Sequence, residues 1–287
     1  ITNTYSLGSD PNLGGKEWND VWVNNLVASS INSTALEVDG IDLTFRQGNI
    51  YYVAENGDDA NTGSHIQDPY ASVAKALSSS VAGDTVWIYP GAYTEVFPLT
   101  VPAGVTVKGQ TIRSVSIQPT VGTNTNTAFL VNGESTIEDL TITGFYSPGY
   151  AFEFAPGFTV TSRSPYIKNI TVITAGSVTT TEDPKGFNQG DAGGGAYIDG
   201  SVATASSREA SMLFHSATFI TPGVDTITAT NGVRIEWLNS FIYFANRSFY
   251  AFDGTTGKYN DGKTRIRLGG VTGTFAASDT VTFTSTD

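Results

Sequence analysis

A six-residue phrase recurs in this chain and constrains its fold more than any other feature. Ile137-Glu138-Asp139-Leu140-Thr141-Ile142 aligns with Ile167-Lys168-Asn169-Ile170-Thr171-Val172 and with Phe214-His215-Ser216-Ala217-Thr218-Phe219. Trp237-Leu238-Asn239-Ser240-Phe241-Ile242 is a looser fourth copy. The first, fourth and sixth positions are apolar or small, and the third is Asp, Asn, Ser and Asn. Starts at 137, 167, 214 and 237 lie 30, 47 and 23 residues apart, as expected for solenoid coils of two to three dozen residues with one insertion. Equivalent positions stack in a parallel solenoid. Asp139, Asn169, Ser216 and Asn239 are therefore expected to form a polar structural ladder, each satisfying backbone groups of the next coil.

The rest of the chain agrees with many short strands. Val105-Thr106-Val107, Val115-Ser116-Ile117 and Ala128-Phe129-Leu130-Val131 precede the repeat, and the copies themselves read as strands, Ile137 to Ile142 first among them. Gly, Pro or Asn punctuates the intervals without hairpin-type Asn-Gly turns, which favours coils over a sandwich. One segment reads as helix, residues 69–80, with Asp68 as cap, Pro69 at the first helical position and Val73 and Leu77 as an i,i+4 apolar pair. Three zones follow: 1–48, 49–250 and 251–287. The first is polar and turn-rich with an apolar group at Trp18, Val21, Trp22, Val23 and Leu26, and is too small to bury a core of its own.

Composition narrows the function. Only 15% of residues are charged, too few for a disordered acidic tail, so a real core is required. The net charge of −12, with no cluster of cations, argues against nucleic acid as a partner. Cysteine is absent and the two histidines, His65 and His215, are far apart, so neither a metal site nor a cofactor is expected. No apolar run approaches the roughly 18 residues of a membrane span, so no membrane insertion is expected. The chain begins at Ile1 with no charged-then-apolar signal segment, and reads as an excerpt from a longer or processed polypeptide.

Two resemblances join these readings. Tyr51-Tyr52-Val53-Ala54-Glu55-Asn56-Gly57-Asp58-Asp59-Ala60-Asn61-Thr62-Gly63, then Asp68-Pro69-Tyr70, Gly83-Asp84-Thr85-Val86, Pro90-Gly91-Ala92-Tyr93 and Gly104-Val105-Thr106-Val107-Lys108-Gly109, resemble the opening of pectate-lyase-like β-helix proteins. That resemblance covers about 50–120 and continues as repeat pattern to about 250. It implies an all-β chain, a right-handed parallel β-helix whose open N-terminal end is covered by one capping helix. Leu7-Gly8-Ser9 and Lys16 to Leu26 are similar to short fibre repeats of tailed-phage tail fibres, and Val233 to Phe244 to structural proteins of marine cyanophages. These imply a fibre-like N-terminal β region and a virion appendage that is assembled in the host cytoplasm. The expected partners are two further copies of the chain in a homotrimer, other virion tail proteins and a host surface glycan.

Two functions stand. The first is a structural or adhesive virion component, a rigid spacer with a glycan-binding surface. The second is a tailspike depolymerase, a glycoside hydrolase or lyase. Hydrolysis needs two carboxylates, about 5–5.5 Å apart for retention and about 6.5–9.5 Å for inversion. The catalytic candidates are Glu138, Glu153 and Glu236, with Asp139 and Asp199 as further acids; for a lyase, Lys168, Arg163 and Arg208 are scattered bases. Glu182, Asp183 and Asp191, in the glycine-rich insertion Gly176 to Gly195, are the ligand-binding candidates, because loops on a rigid scaffold carry function.

Overall fold

The computed structural model describes residues 48–120, 124–160, 163–174, 191–202 and 210–252, together with the backbone of strands Glu37–Val38, Ile41–Asp42 and Arg265–Leu268. The chain divides into two compact units, Ile1–Arg46 and Gln47–Asp287. In the first, Glu37–Val38 and Ile41–Asp42 pair antiparallel, Val38 opposite Ile41. Trp18, Val21, Trp22, Val23 and Leu26 lie outside the described residues.

Among the described residues every strand pair of the second unit is parallel, and parallel neighbours need a crossover between them. Here the crossover is the rest of a coil. The first face stacks Ile50–Val53, Thr85–Ile88, Thr106–Gly109, Thr136–Glu138, Tyr166–Lys168, Ser211–His215, Arg234–Leu238 and Arg265–Leu268, in that order. The second stacks Gly91–Glu95, Val115–Pro119, Thr141–Thr143, Thr171–Ile173, Thr218–Ile220 and Phe241–Tyr243. The third stacks Leu99–Val101, Phe129–Val131, Tyr150–Phe154, Gly194–Asp199, Asp225–Thr230 and Arg247–Phe252. The fold is a right-handed parallel β-helix.

The register matches the repeated phrase residue for residue. Ile137 pairs with Ile167, Ile167 with Phe214, and Phe214 with Trp237. Ile142, Val172, Phe219 and Ile242 align likewise one face later. Each phrase is not one strand, however, but two short strands joined by a corner. Asp139, Asn169, Ser216 and Asn239 stand at the corner with φ of 62°, 48°, 54° and 46°. A strict period of two would put positions one, three and five on the same side. The corner resets that phase, which is why positions one, four and six point inward. Asn and Asp tolerate left-handed backbone better than other non-glycine residues, so the position selects them.

The column is tied from coil to coil, but its side chains bond one another rather than the backbone groups expected from the sequence, because the main chain makes its own bonds. Asn169 N donates to the His215 carbonyl at 2.8 Å and Ser216 N to the Leu238 carbonyl at 3.0 Å. The side-chain amide of Asn169 donates to Asp139 Oδ1 at 2.5 Å, and that of Asn239 to Ser216 Oγ at 3.3 Å. One coil earlier the position is Gly109, where a Cβ would lie 2.2 Å from the Asp139 carbonyl oxygen, so only glycine fits.

Inside, aromatic rings run along the axis: Phe129 to Phe152 at 6.1 Å, Phe152 to Phe214 at 6.1 Å, Phe214 to Trp237 at 5.5 Å and Trp237 to Phe249 at 5.1 Å. Phe249 thus packs against the core, whereas Phe241 and Tyr243 are exposed on the second face.

The helix is shorter than the sequence suggests, Val73–Ser79 rather than 69–80. Its N-cap is Ser72, whose side chain accepts from Lys75 N, and not Asp68. Asp68 is committed elsewhere, accepting from Thr62 N at 3.0 Å and Thr62 Oγ1 at 2.6 Å, while Tyr70 bridges to Val53 as an added strand residue. Val73, Ala76 and Leu77 are buried against the opening strands of all three faces, so the helix closes that end of the core. Glu95, itself buried, reaches up and accepts from Val73 N at 2.6 Å and Ala74 N at 3.3 Å.

Candidate functional site

On the first face alternate residues point outward, and stacking turns the outward positions of all three faces into columns. On the first face one column reads Tyr52, Trp87, Lys108, Glu138, Lys168, His215 and Leu238. Its centre is a closed charge network. Lys108 Nζ lies 2.6 Å from Glu138 Oε1 and 2.8 Å from Asp139 Oδ2, and Lys168 Nζ lies 3.2 Å from Glu138 Oε2. Burial opposes the Lys108 charge, but its bonds to Asp139 and Glu138 outweigh that and raise its pKa. Burial likewise opposes the Asp139 charge, and the bonds from Lys108 and Asn169 overcome it and lower the pKa. Beside the network Tyr166 stacks on His215, its hydroxyl 2.7 Å from Nδ1.

Glu138 is therefore held between two ammonium groups, with both of its carboxylate oxygens already engaged. Glu236 stands three coils further on and in the neighbouring column, 3.2 Å from Arg234 Nε. With about 4.8 Å per coil, the axial separation alone is roughly 14 Å, beyond the reach of a hydrolytic pair.

The third face brings different residues together. Glu153, Tyr197, Thr228 and Tyr250 follow one another in register. Glu153 accepts from Thr127 Oγ1. Burial raises its pKa, against the pull of the Thr127 bond, and the charge of Asp199 raises it further. Asp199, one coil on, accepts from Ser201 N at 2.8 Å and Asn231 Nδ2 at 2.7 Å. The ring of Tyr150 crosses Gly194, where a Cβ would lie 2.4 Å from it, to meet Tyr197 at 5.4 Å between centroids. Burial also raises the Tyr150 pKa, so that hydroxyl stays protonated.

Asp225 faces Arg247 in a two-point pair, 2.8 Å from Nε and 2.5 Å from Nη2. The guanidinium carbon lies 3.6 Å from the Tyr250 ring centroid. A planar guanidinium can make both contacts at once, a fork to a carboxylate and a stack on a ring. Beside this strip Ser147, Gly149, Tyr150, Gly194, Asp225 and Asn246 line a pocket of about 290 Å³. Chemically the strip offers aromatic faces, hydroxyl tips and an oriented ion pair. That mixture suits a polar ligand with flat apolar patches.

Of the insertion candidates, Asp191 borders this region, its carbonyl accepting from Ser147 N at 2.8 Å. Glu182, Asp183 and Arg208 lie outside the described residues. Among the described residues no three His, Asp or Glu side chains are grouped as metal ligands, and no helix is long and apolar enough to cross a membrane. Tyr150, Tyr197, Asp225 and Arg247 were not evident from the sequence. They are up to about a hundred residues apart, and only the register makes them neighbours.

Among solved structures the chain is similar to a rhamnogalacturonan lyase, 17% identical with a TM-score of 0.34 over 77% of this chain and 62% of the other. The chain thus spans less than two thirds of that enzyme. It is also similar to pectate lyase Pel9A, 14% identical with a TM-score of 0.18 over 70% of this chain and 79% of the other. No curated protein matches the sequence. Residues 55–205 match the family described as protein of unknown function DUF1565, and with more than half of its 287 residues inside that match the chain belongs to the DUF1565 family.

Proposed function

We propose that this chain is a glycan-binding β-helix segment of a tailed-bacteriophage tail fibre or related virion appendage, acting as a rigid spacer whose third face binds a host surface glycan. One observation carries the binding reading: Tyr150, Tyr197 and Tyr250 stand in one strip with the Asp225–Arg247 pair, all mounted on stacked strands rather than loops. Strand-mounted side chains are held more rigidly than loop side chains, so less ordering cost offsets the contacts. The virion assignment rests on the fibre-like sequence of residues 1–48 and on the resemblance of Val233 to Phe244 to phage structural proteins. In that setting the chain works as a homotrimer among other tail proteins of an extracellular particle, assembled in the host cytoplasm.

The test is binding of envelope polysaccharides from candidate hosts to the full chain, with Tyr197→Ala and Tyr250→Ala as variants. Saturable binding to at least one polysaccharide is expected, weakened by about tenfold in each variant, or about 1.4 kcal/mol. No binding across hosts, or full binding by both variants, would refute the glycan reading. Detection of the chain in purified virions tests the assignment to an appendage.

A depolymerase is the second reading, and Glu153 is the observation that favours it. A half-buried carboxyl with a raised pKa beside a second carboxylate is the arrangement of a general acid. Binding without cleavage is preferred because Asp225, a further acid of the strip, is tied to Arg247, and Asp199 is spent on Ser201 and Asn231. Release of reducing ends or unsaturated products, abolished by Glu153→Gln, would reverse the order of the two readings.

A further inference from the structure

At the helix-capped end of the first face, Ile50, Tyr52, Trp87, Tyr89 and Gln110 line a cradle of about 340 Å³. Three of its walls are aromatic. Tyr52 and Trp87 are register partners on adjacent strands, both half-exposed and pointing outward. The rings of Tyr52 and Tyr89 lie 6.1 Å apart with planes only 22° from parallel. Gln110 is exposed, and its backbone N–H is fixed on the Ile88 carbonyl at 2.9 Å, which leaves the side-chain amide free to rotate over the rim. None of these residues takes part in the third-face strip.

The chemistry of the cradle selects its occupant by elimination. A peptide adding as a strand needs an unpaired edge. Ile50–Val53 is the end strand of its face, but its outer side is taken, Tyr52 N donating to the Gly63 carbonyl and Tyr70 N to the Tyr52 carbonyl, both at 2.8 Å. An anionic ligand needs an unspent cation. Lys108, 5.9 Å from the Trp87 ring centroid, already neutralises Glu138 and Asp139, and the chain as a whole carries −12. A neutral molecule with a flat apolar face and a polar edge fits what remains. The C–H face of a pyranose lies on the rings, and its hydroxyls reach the Gln110 amide and the tyrosine hydroxyls. Burial raises the Tyr89 pKa and Tyr52 raises it further, so that phenol is a dependable donor at neutral pH.

We propose that the Tyr52–Trp87–Tyr89 cradle, rimmed by Gln110, is a separate saccharide site that takes a neutral pyranose unit. It goes beyond the third-face reading and depends on none of its residues, so either site can fail without the other.

The experiment titrates the full chain with methyl β-glucoside, methyl α-mannoside, methyl β-galactoside and maltoheptaose as neutral probes, and with polygalacturonate as an anionic one. Binding is read by intrinsic tryptophan fluorescence and by saturation-transfer NMR. At least one neutral probe is expected to bind saturably, with affinity reduced at least about tenfold in Trp87→Ala, kept within about threefold in Trp87→Phe, and unchanged in Tyr250→Ala. Trp87 points outward, so its truncation opens no cavity in the core. If Trp87→Ala nevertheless fails to fold, Gln110→Ala, on an exposed side chain, takes its place with the same expected loss. The proposal is overturned if no neutral probe binds, if the variants bind as the unmodified chain does, or if polygalacturonate binds more tightly than every neutral probe. Loss of neutral-probe binding in Tyr250→Ala but not in Trp87→Ala would place the sugar on the third face alone.

Discussion

The side-chain amide of Asn169 reaches back one coil to Asp139 Oδ1, 2.5 Å away, and both residues hold positive φ. The bond and the backbone conformation belong together. Each corner turns the chain from the first face to the second, and at Asn169 and Asn239 the side chain that tolerates the turn also ties it to the corner before. Lys108 joins the same carboxylate from its other side, at 2.8 Å.

Replacing Asn169 separates the two contributions. Asn169→Ala loses the bond, about 1 kcal/mol, and strains the left-handed backbone by about 1–2 kcal/mol. Asn169→Gly loses only the bond and is expected to be clearly the milder change. Urea unfolding of both variants measures the difference; equal losses would mean that the backbone conformation contributes nothing.

Acid sensitivity should run through Asp139. Its pKa is lowered in the fold, so the stability it contributes is present above the ordinary value of 3.8 and is lost as pH falls through the lower folded value. Lys108→Met removes the chief partner and leaves Glu138 and Asp139 side by side. The acid-unfolding midpoint is then expected to move to higher pH, read by circular dichroism across an acid titration. An unmoved midpoint would assign acid unfolding to other groups.

Glu153 has the opposite sign. Its pKa is raised by burial, so the folded state favours the protonated form, and stability falls as pH rises from the ordinary 4.5 through the folded value. Glu153→Gln keeps an oxygen for Thr127 to donate to and carries no charge. The melting temperatures of the two proteins should nearly agree below about pH 4 and diverge above it, with the variant higher. A constant difference at all pH values would contradict the burial argument.

The homotrimer is tested by mass. The 30.3 kDa chain is expected to sediment at about three times that mass, with assembly lost in Trp18→Ser/Trp22→Ser. Those tryptophans belong to the N-terminal zone that reads, from its sequence, as too small to bury a core of its own. A clean monomer in the unmodified chain would argue against the fibre reading.

Much of the fold was legible because a solenoid writes its register into the sequence. The phrase beginning at Ile137 recurs at Ile167, Phe214 and Trp237, and those residues pair. The off-phase apolar position four, Leu140 in the first copy, already encoded the corner, since no single strand buries positions one, four and six. The helix start was misjudged because Asp68-Pro69 is a good local cap. A tertiary contact, the Tyr70 bridge to Val53, outweighed it and delayed the helix to Ser72. The third-face strip was hidden for another reason. Tyr150 and Tyr197 become neighbours across Gly194, which matters for the side chain it lacks. The Tyr52–Trp87–Tyr89 cradle was hidden in plain β pattern, because outward aromatics in a strand look the same whether they pack, stack or bind.

The direction of the hydrogen bonds has a mechanical meaning. In a sheet these bonds lie across the strands, and here the strands run around the core, so the bonds on all three faces point along the long axis of the β-helix. A pull along that axis loads every bond between two coils together and from three sides. A crack cannot open one face without bending the other two. The end held by the helix has a further fastening, because Glu95 couples Val73 and Ala74 to the second face. Such a rod yields under tension by parting between whole coils rather than by paying out chain.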